Sequence, residues 1–387
     1  MHIVQFIPHF LVSHEGTSVF VKGLSKAIVN LGHKVTIITY KVGTNLSKQN
    51  FQIINFRLRR CHPFAIPHDF RSAILNNTMN MDIIILHRIF NTWNLPVAFF
   101  AKKAGIPYVV VPHDPYNPVV FGTKYLIKHI YFRLFERSLL RGAASIHLLL
   151  PEHGRYIKRF GVQTPFFVAP NGFDPEEVPS QIKLHSVSKP LGIPKIMRIL
   201  FLGRIDAYHK GLDLLLISFA RFTKECNVRA TLSLVGKDWG DVKKLRKLSL
   251  NLSIENQVLF CGPLSKNSYE IISQYDILVL PSRFDGFGLS VLEAMVCGKP
   301  ILVSTAAGIA RYVDQIQCGI TVDPNPESIF QGLCKLWENR RSWVMIGQRG
   351  REFAFQNLTW DRIAPVSYTH LRAHETRHDL VCRLLLE

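Results

Sequence analysis

The apolar residues of this chain fall into short unbroken runs separated by stretches of helical period. HIVQFI, KVTIITY, FQIINF, DIIILH, PYVVVP, ASIHLLL and PFFVAP read as strands in the first half, and MRILFLG, RATLSLVG, QVLFCG, DILVLPS, KPILVST and CGITVDP in the second. Runs of this kind suit strands covered on both faces, and their alternation with helical segments predicts βαβ units around parallel sheets. In TSVFVKGLSKAIVNLGH the helical face is made by Val19, Phe20, Leu24, Ala27, Ile28 and Leu31, and Gly32 ends it.

The pattern pauses once. Residues 174–195 carry four prolines and little periodicity, which predicts a linker over 181–195 between an N-terminal domain, 1–180, and a C-terminal domain, 196–365. A length of 387 residues also exceeds one ordinary core. The predicted fold class is therefore α/β, with two Rossmann-like doubly wound domains facing across a cleft. Such sheets take ligands outside the carboxyl ends of their strands.

Composition narrows the class without choosing a chemistry. Hydrophobic residues make up 47% and charged residues 19%, which excludes a disordered or fibrous chain. Seven cysteines lie singly, with no C-x-x-C pair and no His at ligand spacing, so reduced thiols and no metal site are expected. No apolar run reaches the roughly 18 residues of a membrane span. Met1 leads into a strand without a basic leader, so a cytoplasmic protein is expected. The net charge of +19 favours an anionic partner: phosphates, acidic polysaccharide, an anionic membrane face or nucleic acid.

The candidate chemistry concentrates in PSRFDGFGLSVLEAMVCGKPILVS, residues 281–304. A strand ending near Leu280, a glycine-rich loop and a helix starting near Leu289 would bring backbone N–H groups and a positive dipole end to a bound anion. Asp285 in the loop and Glu293 just inside the helix are placed to meet the same ligand. The plainer alternative is a decorated helix after an ordinary turn. The stretch resembles the donor-site signature of the family 4 retaining glycosyltransferases of GT-B fold, matched at Asp285, Gly286, Phe287, Gly288, Leu289, Glu293, Ala294, Met295, Gly298 and Pro300. LFLGRIDAYHKGLDLLL resembles the family's GR…KG phosphate clamp, with Arg204 and Lys210 on its basic positions.

That resemblance extends over residues 1–365 and implies a metal-independent hexosyltransferase of polysaccharide-type biosynthesis, with a nucleotide-sugar donor as substrate and no cofactor. Asp285 would meet the sugar hydroxyls and Glu293 the ribose, while Arg204 and Lys210 would hold the departing diphosphate. It also carries over Gly16 and Thr17 as a phosphate-approaching loop, His113 as a group beside the transferred sugar, and Gly236 and Leu264 as loops near the nucleotide and its base. PNGFD, 170–174, resembles the segment closing the first domain and is read as turn chemistry. A glycan, lipid-linked or small-molecule acceptor is expected on the N-terminal domain. Two positions depart from the family: Asp285 and Arg311 stand where Glu is usual.

Residues 123–142, TKYLIKHIYFRLFERSLLRG, read as a basic helix suited to peripheral contact with an anionic membrane, although its apolar residues also serve to cover a sheet. The end of the chain, 366–387, resembles a translated sequencing adaptor and is expected to be a non-native tail whose removal costs nothing. In the family the final helix returns to the first domain. Among rivals, a Rossmann oxidoreductase lacks its G-x-G-x-x-G, and nucleic-acid binding rests on charge alone, so neither is expected. A non-catalytic nucleotide-sugar or glycan binder, or an inactive truncated relative, remains the alternative.

Overall fold

A computed structural model describes residues 1–10, 16–42, 49–56, 64–113, 116–117, 121, 125–184, 195–263 and 267–384, with 374–384 given by backbone alone. The chain forms two compact units, Met1–Gly172 with Trp360–Glu387, and Phe173–Thr359. Residues 173–184, which hold the expected last residues of the first domain and the start of the expected linker, group with the second unit. Val178 and Ile182 are buried, the Arg351 guanidinium donates to the carbonyl of Lys183 at 3.1 Å, and Asn267 donates to that of Glu177 at 3.2 Å. Of the expected linker, 185–194 lie outside the described residues.

The first unit holds strands β1 (His2–Phe6), β2 (Lys34–Thr39), β3 (Gln52–Asn55), β4 (Ile83–His87), β5 (Tyr108–Val111), β6 (Ser145–Leu148) and β7 (Phe166–Val168). They pair in the order β3-β2-β1-β4-β5-β6-β7, all parallel. The second unit repeats the plan with β8 (Met197–Leu202), β9 (Ala230–Val235), β10 (Val258–Phe260), β11 (Ile277–Leu280), β12 (Ile301–Ser304) and β13 (Gly319–Val322). Their order is β10-β9-β8-β11-β12-β13, again parallel. Every apolar run read as a strand is one. β1, β4 and β12 are buried along their whole length, as a sheet covered on both faces requires.

Each sheet reverses its winding once, between β1 and β4 and between β8 and β11. At that point the loops leaving neighbouring strands part to opposite faces and open a crevice at the carboxyl ends.

The first helix, Gly16–Asn30, buries Phe20, Val21, Leu24, Ala27 and Ile28. Leu31, expected on that face, lies past the helix end at 42% exposure, because the chain turns at Gly32 with φ +86°. The last helix, Trp360–Leu384, belongs to the first unit. Trp360, Ile363, Ala364, Ser367 and Leu371 are buried along one stripe of helical spacing. Tyr368 stacks on His33 with centroids 4.1 Å apart, and His370 on Phe167 at 4.8 Å. The opening of the segment expected to be a dispensable tail thus covers apolar surface. The cysteines described in full are free thiols, and folding brings Cys226 and Cys334 to 2.9 Å between sulfurs.

Candidate functional site

In the second unit, Arg204, Lys210 and Asp285 lie on the loops that leave β8 and β11, the strands flanking the switch point. After β8 the chain turns through Gly203, Arg204 and Lys210 into the helix Leu212–Glu225. Gly211 caps that helix at φ +64°, and a Cβ there would stand 2.2 Å from the carbonyl oxygen of Pro281. Only glycine lets the two loops approach this closely. Gly236, at the end of β9, meets the same demand, since its Cβ would lie 1.7 Å from the carbonyl oxygen of Gly203.

The two loops are then clamped together. Arg283 forks onto Asp213 with both contacts at 2.7 Å and donates to the carbonyl of Tyr208 at 2.9 Å. The Asp213 hydrogen bonds push the Arg283 guanidinium further above its ordinary range. Beside this clamp the Lys210 ammonium sits 2.5 Å from the Asp285 carboxylate, each side chain only 15% exposed. Two residues 75 positions apart, each read from sequence as part of the donor site, are therefore one ion pair. Asp285 is aimed by its backbone, which donates to the carbonyl of Ala306 at 3.3 Å and accepts from Gly308 at 3.1 Å.

Arg204 stands more open, at 43% exposure. Its guanidinium lies 4.7 Å above the Trp239 ring and its Nε is 3.8 Å from the carboxylate of Asp206. Asp206 also accepts from the backbone N–H of His209 at 2.9 Å, so one carboxylate shapes the turn carrying both basic residues. Asp206 and Trp239 were missed from sequence. Asp206 had a local signal, its spacing to His209 within a turn; Trp239 reaches Arg204 only through the pairing of β8 with β9, which leaves no local signal.

The helix Leu289–Val296 begins at Gly288, φ +101°, with no side-chain cap. Gly286 and Phe287 are buried in front of it, and Leu289 opens its first turn half-buried. Glu293, one turn on, accepts from the Ser268 hydroxyl at 2.8 Å. Burial pushes its carboxyl up to about 7, against the Ser268 bond and with help from Glu177. Arg311 is exposed near Tyr312, and nothing in the structure explains its replacing a Glu. Leu264 lies outside the described residues.

In the first unit, Gly16 and Thr17 form the opening turn of the first helix. His113 follows β5 with φ +59°, a left-handed conformation unusual for a side chain of this size. Its Nε2 is 3.0 Å from Nδ1 of His87, and Phe20 meets its ring edge-on at 4.8 Å. Burial foremost, then neighbouring His87, His147 and Arg88, hold the His113 imidazole well below its usual range. His87 ends β4, and the ending of one strand run in DIIILH was a signal that sequence reading passed over.

Comparison with known proteins bears on the family and the fold. Residues 14–177 match the model of Glycosyltransferase Family 4, and 188–353 that of Glycosyl transferases group 1. An uncharacterised glycosyltransferase of Methanocaldococcus jannaschii is 30% identical over 379 residues, 90% of this chain and 92% of the relative. N-acetyl-alpha-D-glucosaminyl L-malate synthase of Bacillus anthracis is 24% identical, with 90% and 91% covered. Among solved structures, Anabaena HepE in complex with UDP and glucose superposes with a TM-score of 0.77 at 20% identity, covering 96% of this chain and 100% of that one. Sucrose-phosphate synthase from Thermosynechococcus elongatus gives 0.76 at 19%, covering 96% and 98%. With both sheets wound as the sequence implied and relatives matched along nearly the whole length, the chain belongs to the family 4 glycosyltransferases and has the GT-B fold.

Proposed function

We propose that the protein moves a glycosyl group from a nucleoside-diphosphate sugar to a glycan, lipid-linked or small-molecule hydroxyl, with retention at the anomeric carbon and without a divalent metal. The observation that carries this reading is the turn after β8, at the switch point of the second sheet, which bears two cations, Arg204 and Lys210, with Lys210 paired to Asp285. HepE binds UDP and glucose on the same fold, which supports a nucleotide sugar as donor here.

The step breaks the bond from the anomeric carbon to the diphosphate oxygen and forms one to the acceptor oxygen on the same face. The acceptor proton passes to the departing diphosphate, whose charge Arg204 and Lys210 hold through charge-assisted hydrogen bonds. These side chains and the loop amides before Leu289 do the work a metal would otherwise do. Asp285 takes sugar hydroxyls, its carboxylate reaching about 1.5 Å less than a Glu would. His113 stands beside the transferred sugar and Glu293 beside the ribose, while Gly16 and Thr17 approach the phosphates and Gly236 the nucleotide.

The test is a thermal-shift screen against UDP, GDP, ADP and their sugars, followed by NMR of the product's anomeric proton. One nucleotide is expected to raise the melting temperature, since at about 100 times its Kd it adds roughly 2.7 kcal/mol. The product anomer is expected to match the donor's, with activity surviving exhaustive chelation. An inverted product, or activity restored only by magnesium or manganese, sinks the mechanism. Tight donor binding without transfer or donor hydrolysis makes the chain a binder.

The proposal includes peripheral contact with an anionic membrane through the helical segment from Tyr125 to Gly142. Leu126, Ile127, Ile130 and Leu134 are 71%, 66%, 57% and 64% exposed on it, with Arg133 and Arg141 exposed beside them. No helix among the described residues is long and apolar enough to cross a membrane. Flotation with phosphatidylglycerol vesicles is expected, and loss of it in Leu126→Asn/Ile130→Asn; equal flotation with phosphatidylcholine alone rules out the charge term.

A further inference from the structure

A line of hydrogen bonds crosses the carboxyl end of the first sheet at its switch point. The Gln5 amide, on β1 and fully buried, donates from Nε2 to the Ser25 hydroxyl at 2.6 Å. Its Oε1 faces Nε2 of His87, on the neighbouring β4, at 2.9 Å. His87 Nδ1 faces Nε2 of His113, just past β5, at 3.0 Å. The line joins three adjacent strands and the first helix.

Proton placement follows from donor and acceptor chemistry. An amide oxygen only accepts, so His87 carries its proton on Nε2. Burial, with His147 and Arg88 nearby, holds His87 neutral, its range down to about 3. A neutral imidazole with a proton on Nε2 presents a lone pair at Nδ1. His113 Nε2, facing that lone pair, must be the donor. The Nδ1 of His113 is left as an acceptor, and it has no hydrogen-bond partner among the described residues.

We propose that Ser25, Gln5 and His87 are positioning residues that hold His113 in the Nε2–H tautomer, so that its Nδ1 accepts a hydroxyl proton of the bound sugar. This rests on the placing of His113 beside the transferred sugar. The left-handed φ of +59° is what such a constraint would demand, because the backbone accepts a disfavoured conformation to aim the ring. Phe20, edge-on to His113 at 4.8 Å and within 6.0 Å of His87, walls the relay from one side. A neighbouring ring is fixed independently of the line: His147 Nε2 is 2.9 Å from the carbonyl oxygen of Ala169, which can only accept.

Long-range proton–nitrogen NMR of the full chain with labelled histidine reads the tautomer directly, with His113→Asn assigning the signals. The wild-type spectrum is expected to show His113 protonated at Nε2 and bare at Nδ1. Gln5→Leu removes the acceptor for His87; Ser25→Ala, a small change on a helix, frees the amide to turn. Both are expected to populate the other His113 tautomer and to lower kcat roughly tenfold, the loss of about one well-placed hydrogen bond, with nucleoside-diphosphate Kd unchanged. A proton on Nδ1 in the wild type, or a tautomer that neither variant moves, overturns the proposal. The spectrum decides this whether or not the chain transfers sugar. A shifted tautomer with unchanged kcat overturns the sugar contact and leaves the relay standing.

Discussion

Lys210→Ala is expected to weaken nucleoside-diphosphate binding by tenfold or more, and Arg204→Ala to weaken it less. A hydrogen bond to a charged group is worth roughly 1.5–3 kcal/mol, and about 1.4 kcal/mol is a factor of ten in affinity. Lys210 is enclosed and paired, with 15% of its side chain exposed against 43% for Arg204, so water screens its contact less. Its removal also leaves Asp285 without its cation, at 2.5 Å in the intact protein, and the uncompensated carboxylate then repels the diphosphate. Transfer should fall further than binding, because the leaving group gains charge as the sugar departs. Lys210→Arg is not expected to restore activity, since a planar fork does not fit a point-charge position. Calorimetry with the nucleotide found by the thermal screen, alongside initial rates, checks both effects. Unchanged affinity in both alanine variants would remove these residues from the phosphate site.

Trp360→Ala is expected to lower the melting temperature of the first unit by about 10 °C. Truncating a buried Trp costs roughly 3–5 kcal/mol, and each kcal/mol moves the melting temperature of a domain this size by about 2–4 °C. The Trp360 ring is 4% exposed and meets Phe20 edge-on at 5.3 Å. It fits because Gly23 has no side chain, a Cβ there falling 1.9 Å from Trp360 Nε1. Deleting 366–387 should cost a smaller but real amount, since Ser367 and Leu371 are buried at 0% and 1% and Tyr368 stacks on His33. The expectation that this segment is dispensable for stability came from its resemblance to an adaptor; helical spacing carries the apolar stripe into it whatever its origin. Nucleotide affinity should survive the deletion, because Arg204, Lys210 and Asp285 lie in the other unit. Scanning calorimetry of the two variants decides the matter: an unshifted melting temperature in Trp360→Ala would mean the helix is not docked.

The sequence alone determined the strands and the loops that follow them. An unbroken apolar run is a local property, and a parallel sheet covered on both faces asks for nothing else, so β1 to β13 could all be read from the chain. Arg204, Lys210, Asp285 and Glu293 could be picked out as candidates because family spacing is also local. Tertiary structure decided which of these meet and in what state. Lys210 finds Asp285 only because β8 and β11 are neighbours at the switch point, and the glycine at 211 owes its necessity to a carbonyl at 281. Glu293 is pushed up to about 7 by burial that no stretch of helix discloses. The line from Ser25 through Gln5 and His87 to His113 draws on residues as far apart in sequence as 5 and 113, a separation of 108 positions; strand order brings Gln5, His87 and His113 side by side. Periodicity records what each segment buries, whereas hydrogen-bond partners and pKa shifts depend on distance in space, which the winding of the sheets sets.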